Sequence, residues 1–127
     1  MGFNMIRLLH VEDDPDILEI ALMALGISGE FEVKQCSDPA DALGEAQQFA
    51  PDVLLLDLMM PGMSGDTLLG KLRTLPGLET TTAIFMTARA QPHEIQALIA
   101  KGAKDVIVKP FDALTLGDQV KAIFERP

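Results

Sequence analysis

The sequence has no tryptophan, no tyrosine and one cysteine, Cys36, in 127 residues. A lone cysteine excludes an intramolecular disulfide and agrees with a reducing compartment. Basic residues are scarce, ten Lys and Arg against nineteen Asp and Glu, for a net charge of −9. Affinity for nucleic acid comes largely from Lys and Arg neutralising phosphates, so direct nucleic-acid binding is not expected; cations or basic partners suit the surface better. No apolar run approaches the roughly 18 residues of a membrane span, and the opening MGFNMIRLL is too short and too polar for a signal peptide. The expectation is a cytoplasmic protein with no membrane association. No repeat or low-complexity tract is present, and a composition 48% hydrophobic and 23% charged is that of a globular chain. Its length fits one domain.

What is present is a succession of short apolar runs: Ile6 to Val11, Phe31 to Cys36, Val53 to Leu56, Ala83 to Met86 and Val106 to Val108. Helical periodicity fills the intervals. Ile17, Leu18, Ala21, Leu22 and Leu25 form one stripe, and Leu116, Val120, Ile123 and Phe124 another. Asp14-Pro15 and Asp38-Pro39 each set a capping side chain before a proline suited to a first helical turn, and Pro92 and Asp112 are read as opening two more helices. Gly26, Gly77 and Gly102 stand where helices are expected to end in a left-handed residue. Units of roughly 20 to 25 residues leave room for helical crossovers but not for hairpins. The fold class is therefore α/β, a doubly wound sheet of five parallel strands with helices on both faces.

In such sheets ligands bind beyond the carboxyl ends of the strands, where strand order reverses. Those ends carry Glu12, Asp13 and Asp14 after the first run, Asp57 after the third, Thr87 after the fourth and Lys109 after the fifth. With the second strand outermost, the first and third are neighbours and their carboxylates converge. Two carboxylates about 4 Å apart repel by roughly 4 kcal/mol at an effective dielectric of about 20, so three on one rim call for protonation or a cation. Oxygen ligands, with no nearby cysteine and no matched pair of histidines, favour Mg²⁺, Mn²⁺ or Ca²⁺ over zinc. A Mg²⁺ site of this kind handles phosphate. An ionised Asp57 is the candidate nucleophile toward phosphorus, with Lys109 as the cation and the Thr87 hydroxyl as a hydrogen-bond donor to a phosphoryl oxygen.

The segments VEDDPDI, DLMMPGMSG, MTA and VKPF, in that order at successive strand ends, resemble the receiver domains of bacterial response regulators, the CheY-like family with a flavodoxin-like topology and strand order 2-1-3-4-5. The resemblance spans residues 1 to 127 as a single receiver domain, with no output domain in this chain. It implies a two-component or phosphorelay signalling role. Asp57 would accept phosphate from a phospho-histidine of a sensor histidine kinase or histidine phosphotransfer protein, and would lose it again by self-dephosphorylation, so that the domain acts as a switch and not as an enzyme. Mg²⁺ (or Mn²⁺) would sit among Glu12, Asp13, Asp57 and the backbone carbonyl of Met59, while Thr87 and Lys109 contact the phosphoryl group. A cis bond at Lys109-Pro110 and a downstream protein partner on the face of the fourth helix, fifth strand and fifth helix are implied as well. One departure stands out: the aromatic that swings inward in this family falls at Val106. Met59 and Arg89, each two residues past a site residue, flank the route of water and are expected to tune the phosphate lifetime.

Plainer roles compete at each position. Glu12, Asp13 and Asp14 could merely cap and compensate a helix dipole, and for Asp14 capping is the whole expectation. Asp57 could cap a loop, Lys109 form a salt bridge, and Thr87 be an ordinary strand residue. His10 is expected to pack or hydrogen-bond near the sheet edge, and His93 to lie on a surface helix; neither is read as a ligand. GDTLLGKL imitates a P-loop, but Leu72 occupies the Ser/Thr position, and the stretch reads as a helix. Met59, Met60 and Met63 read as loop packing. Three other functions compete: a flavodoxin-like cofactor binder, disfavoured because EDDPD would repel a flavin phosphate; a phosphohydrolase, disfavoured by Met59 where a second acid would be needed; and a protein-binding receiver that works without phosphorylation, suggested by Val106.

Overall fold

A computed structural model describes residues 4–127; residues 1–3, the start of the stretch read against a signal peptide, lie outside the described residues. Five strands and five helices alternate: β1 (Ile6–Val11), α1 (Pro15–Gly26), β2 (Phe31–Cys36), α2 (Pro39–Phe49), β3 (Val53–Asp57), α3 (Gly65–Leu72), β4 (Thr82–Thr87), α4 (Pro92–Ala100), β5 (Asp105–Val108) and α5 (Leu116–Glu125). The sheet is wholly parallel in the order β2-β1-β3-β4-β5. The expected fold class and strand order are the observed ones.

Helices on both faces bury β3 completely, which is why it reads as an unbroken apolar run and not an alternating one. Leu54 and Leu56 pack with Ala42 and Ala46 of α2, Leu68, Leu69 and Leu72 of α3 and Leu98 of α4. On the opposite face Val53 and Leu55 pack with Ala21, Ala24 and Leu25 of α1 and Leu116, Val120 and Ile123 of α5. Truncating one of these fully buried leucines to alanine is worth about 2 to 5 kcal/mol. No helix among the described residues is long and apolar enough to cross a membrane.

Asp14 and Asp38 cap α1 and α2 as expected, their carboxylates accepting from the backbone N–H groups of Asp16 and Ala40 at 2.9 Å. Pro92 opens α4, with Glu94 accepting from the Gln91 N–H at 3.2 Å. Other expectations are corrected. Asp112 opens only a turn, accepting from Leu114 N–H at 2.9 Å, and α5 begins at Leu116. Gly26 is the last residue of α1, and the left-handed turn comes later, at Gly29 (φ 71°). Gly77 is left-handed (φ 87°) but lies five residues beyond the end of α3, and the residue that ends α2 in that conformation is Ala50 (φ 52°). Gly102 (φ 111°) follows α4 as expected. Leu22 does not belong to the buried stripe of α1: it is 47% exposed, and the small Ala24 takes the inward position.

Candidate functional site

The first and third strands deliver their acids to a common point because they are adjacent in the sheet, Val11 pairing with Leu56 one residue short of each site. Lys109, just past β5, reaches across to them. Its Nζ donates to Glu12 Oε1 at 2.8 Å and to Asp57 Oδ1 at 2.8 Å. Carboxylate oxygens of Glu12, Asp13 and Asp57 lie within 4.8 Å of one another. Glu12 and Asp57 are almost wholly buried, while Asp13 is more open to solvent. These side chains, with Asp14, Ile17, Met59 and Ala88, line an open pocket of about 310 Å³ at the carboxyl edge of the sheet.

Burial pushes the Glu12 carboxyl above its ordinary range, and the neighbouring Asp57 charge adds to this; Lys109 and the Asp14 N–H, which Glu12 Oε2 accepts at 3.2 Å, oppose it. For the Lys109 ammonium burial works downward, but the hydrogen bonds to Asp57 and Glu12 and their charges outweigh it and hold its pKa above the usual lysine value. One cation facing three acids leaves the cluster with an excess of negative charge. The donor set is oxygen only, so a hard divalent cation of the Mg²⁺ or Mn²⁺ type fits it and a thiophilic metal does not.

The loop after β3 is held close by a contact that sequence inspection overlooked. A Cβ on Gly65 would stand 2.3 Å from the Asp57 carbonyl oxygen and 3.1 Å from Leu58 Cα, so only glycine lets the first residue of α3 lie against the backbone of Asp57. The Gly65 N–H also donates to Leu58 O at 2.8 Å. The visible signal was a glycine at the first position of a helix, where local propensity asks for none.

Thr87 is buried, and its Oγ1 accepts from the Arg89 N–H at 3.0 Å, tying the hydroxyl into the loop after β4. The lining of the acidic pocket on that side is Ala88, not Thr87 or the exposed Arg89. Met59 is 63% exposed at the mouth. Val106 pairs with the buried Phe85 and packs toward the core on the α2, α3 and α4 face. Asp14 serves as the cap of α1. Met60 is buried in the core, Met63 packs beside it, and His93 is exposed in the first turn of α4, each as expected. The Lys109-Pro110 bond is cis.

Comparison with known proteins gives one family. The response regulator receiver domain family matches residues 8–121. The chain is 36% identical over 123 residues to the phosphate regulon transcriptional regulatory protein PhoB of Rhizobium meliloti, and 34% identical over 125 residues to the transcriptional regulatory protein PrrA of Mycobacterium leprae. Those alignments take in 96% and 98% of this chain but 54% and 52% of the relatives, so the chain spans about half their length. Among solved structures, the chemotaxis protein CheY4 of Vibrio cholerae superposes with a TM-score of 0.86 at 29% identity, covering 94% of this chain and 98% of that one.

Proposed function

The chain belongs to the response regulator receiver family, and from that premise we propose that Asp57 is the phosphoacceptor of a two-component or phosphorelay switch. The observation that carries this is the Lys109 ammonium bridging Glu12 and Asp57 at 2.8 Å each inside a three-carboxylate cluster at the carboxyl edge of the sheet. An Asp57 oxygen attacks the phosphorus of a phospho-histidine on a sensor kinase or histidine phosphotransfer protein; the P–N bond breaks, and its electron pair returns to the imidazole. Asp13 and Asp57, with the Met59 backbone carbonyl, would hold Mg²⁺ (or Mn²⁺), and Glu12 completes the acidic surround. The cation supplies charge neutralisation on the transferring phosphoryl group. Lys109 gives its ammonium to a phosphoryl oxygen, and Thr87 turns its hydroxyl from the Arg89 N–H to another. Exposed Met59 and Arg89 screen the approach of water and so set the lifetime of the acyl phosphate.

The output follows a shift between two conformations. Val106 lacks a ring to swing, so the shift runs through the Thr87 to Arg89 loop and the end of β5. The receiving surface is that of α4, β5 and α5, where Ile99 of α4, Val108 of β5 and Leu114 in the turn before α5 are exposed at 38%, 47% and 78%. The protein works in the cytoplasm. With its excess of acids, the domain itself is a poor ligand for nucleic acid, whatever the longer relatives bind.

Incubation with a small phosphodonor and Mg²⁺, followed by intact mass, tests the assignment. A gain of one phosphoryl group that is lost in Asp57→Asn is expected; no gain, or a gain that survives the substitution, refutes it. Val106 alone favours a second reading, a receiver that binds its partner without phosphorylation. Equal partner capture by the wild type and Asp57→Asn, with and without phosphodonor, would select it.

A further inference from the structure

His10 is a polar side chain set in the apolar layer beneath the acidic pocket. It lies on β1 between Leu8 and Glu12, pairs with Gln35 on β2 and Leu55 on β3, and is fully buried. Side chains two residues apart on a strand share a face. Leu8, His10 and Glu12 therefore climb one side of β1, as Val53, Leu55 and Asp57 climb the same side of β3. The imidazole occupies the tier below Glu12 and Asp57.

Gln35 decides which ring nitrogen carries the proton. Its Nε2 donates to Leu18 O at 2.8 Å and lies 3.3 Å from His10 Nδ1. The amide cannot be turned over, because its oxygen would then face the Leu18 carbonyl oxygen. Its second N–H consequently points to Nδ1, which must accept, and the proton of a neutral imidazole resides on Nε2. With Nδ1 accepting and the ring fully buried, the imidazole is held neutral. Among the described residues, Nε2 is the one buried side-chain nitrogen or oxygen with no hydrogen-bond partner. With Nδ1 turned toward β2, Nε2 lies on the β3 side of the ring, and Glu12 and Asp57 stand one tier above on the same side of the sheet.

We propose that the His10 Nε2–H anchors an internal water that hydrogen-bonds to the carboxylates above, making His10 a positioning residue for the Asp57 and Lys109 pair. Buried donors are nearly always met by protein or by water, and an internal water needs two to four polar partners. Glu12 and Asp57 can supply the others, because both Glu12 oxygens and Asp57 Oδ1 have accepting capacity beyond the single bond each makes to Lys109 or Asp14. The hydration site stands on this geometry; its effect on phosphoryl transfer rests on the phosphoacceptor assignment for Asp57.

Two measurements test the proposal on the intact chain. In ¹⁵N-resolved NMR the His10 ring is expected to carry its proton on Nε2, with a cross-peak to a long-lived water; a proton on Nδ1, or an Nε2–H with no water contact, overturns the hydration site. In phosphorylation by a small phosphodonor with Mg²⁺, His10→Leu is expected to slow the rate about ten-fold, the scale seen when the group orienting a site residue is lost, without lowering the unfolding midpoint. His10→Gln, whose amide N–H reaches the place of Nε2–H, recovers most of the rate. Equal rates for the wild type and His10→Leu overturn the positioning role. A water on Nε2 in a wild type that takes no phosphate leaves the hydration site standing and defeats the Asp57 assignment instead.

Discussion

Replacing Gly65 by alanine is the sharpest perturbation the site offers, because the three atoms nearest to the added one are all backbone. Its Cβ would lie 2.3 Å from Asp57 O, 3.1 Å from Asp57 C and 3.1 Å from Leu58 Cα. Restoring ordinary contact requires a displacement of about 1 Å between the start of α3 and the residue that carries the carboxylate. Overpacking of this kind costs about 1 to 3 kcal/mol. For a domain of this size each kcal/mol moves the unfolding midpoint by about 4 °C, so a fall of about 4 to 12 °C is expected. A misplacement of about 1 Å at a reacting group can also cost up to about 100-fold in rate. Gly70 supplies the control. It lies in the same helix with nothing within 4 Å of its Cβ position, so Gly70→Ala should raise stability by up to about 1 kcal/mol and leave phosphorylation unchanged. Thermal unfolding by circular dichroism and phosphodonor kinetics by intact mass measure both effects. A Gly65→Ala protein with the stability and phosphorylation rate of the wild type would refute the inferred close approach.

Lys109→Met leaves Glu12 and Asp57 buried without their cation, which should cost about 3 kcal/mol in urea unfolding at pH 7, with Mg²⁺ restoring part of the loss; a variant indifferent to Mg²⁺ would contradict the shared role of ammonium and metal. His10 sets a pH limb. Its pKa falls from 6.5 in the unfolded chain to about 4 in the fold, so its contribution to stability is complete above pH 6.5 and is lost as pH falls through 4. That difference corresponds to about 3 kcal/mol, so between pH 7 and pH 4 the wild type should lose that much more than His10→Leu in urea titrations; parallel curves would exclude a buried neutral ring. Cys36 is buried, and burial first, then the nearby Glu45 and Asp41 charges, push its thiol up to about 11. It should resist a thiol reagent at pH 8 in the native protein and react on unfolding, and rapid labelling of the native protein would count against its packing.

The strands were legible because parallel strands covered on both faces are continuous apolar runs, and β3 is the extreme case: Val53 to Leu56 are all buried and Asp57 ends the run. The ends of the helices were less so. Asp112 carries the chemistry of a cap, yet the chain after the Lys109-Pro110 bond completes a turn before α5 begins, and the three-dimensional path of that segment is not a local property. Leu22 fits a helical stripe by spacing alone; which residues of α1 face the sheet depends on how α5 sits beside it. Convergence of Glu12 and Asp57 could be anticipated from the usual order of a doubly wound sheet, with the second strand outermost and the first and third adjacent. The contact of Gly65 with the Asp57 carbonyl could not, because the path of the loop from Leu58 to Ser64 is not fixed by local propensity, and neither could the solitary Nε2 of His10, which depends on separate strands meeting around it.

Lys109 joins residues 97 and 52 positions away through one ammonium group. On the proposed phosphoacceptor role, a new anion that claims that ammonium would draw it from Glu12, and the adjoining Val108 belongs to the exposed surface of β5. On that reading the path from the pocket to the outside would be no longer than a lysine side chain and one peptide unit, with no aromatic ring in it.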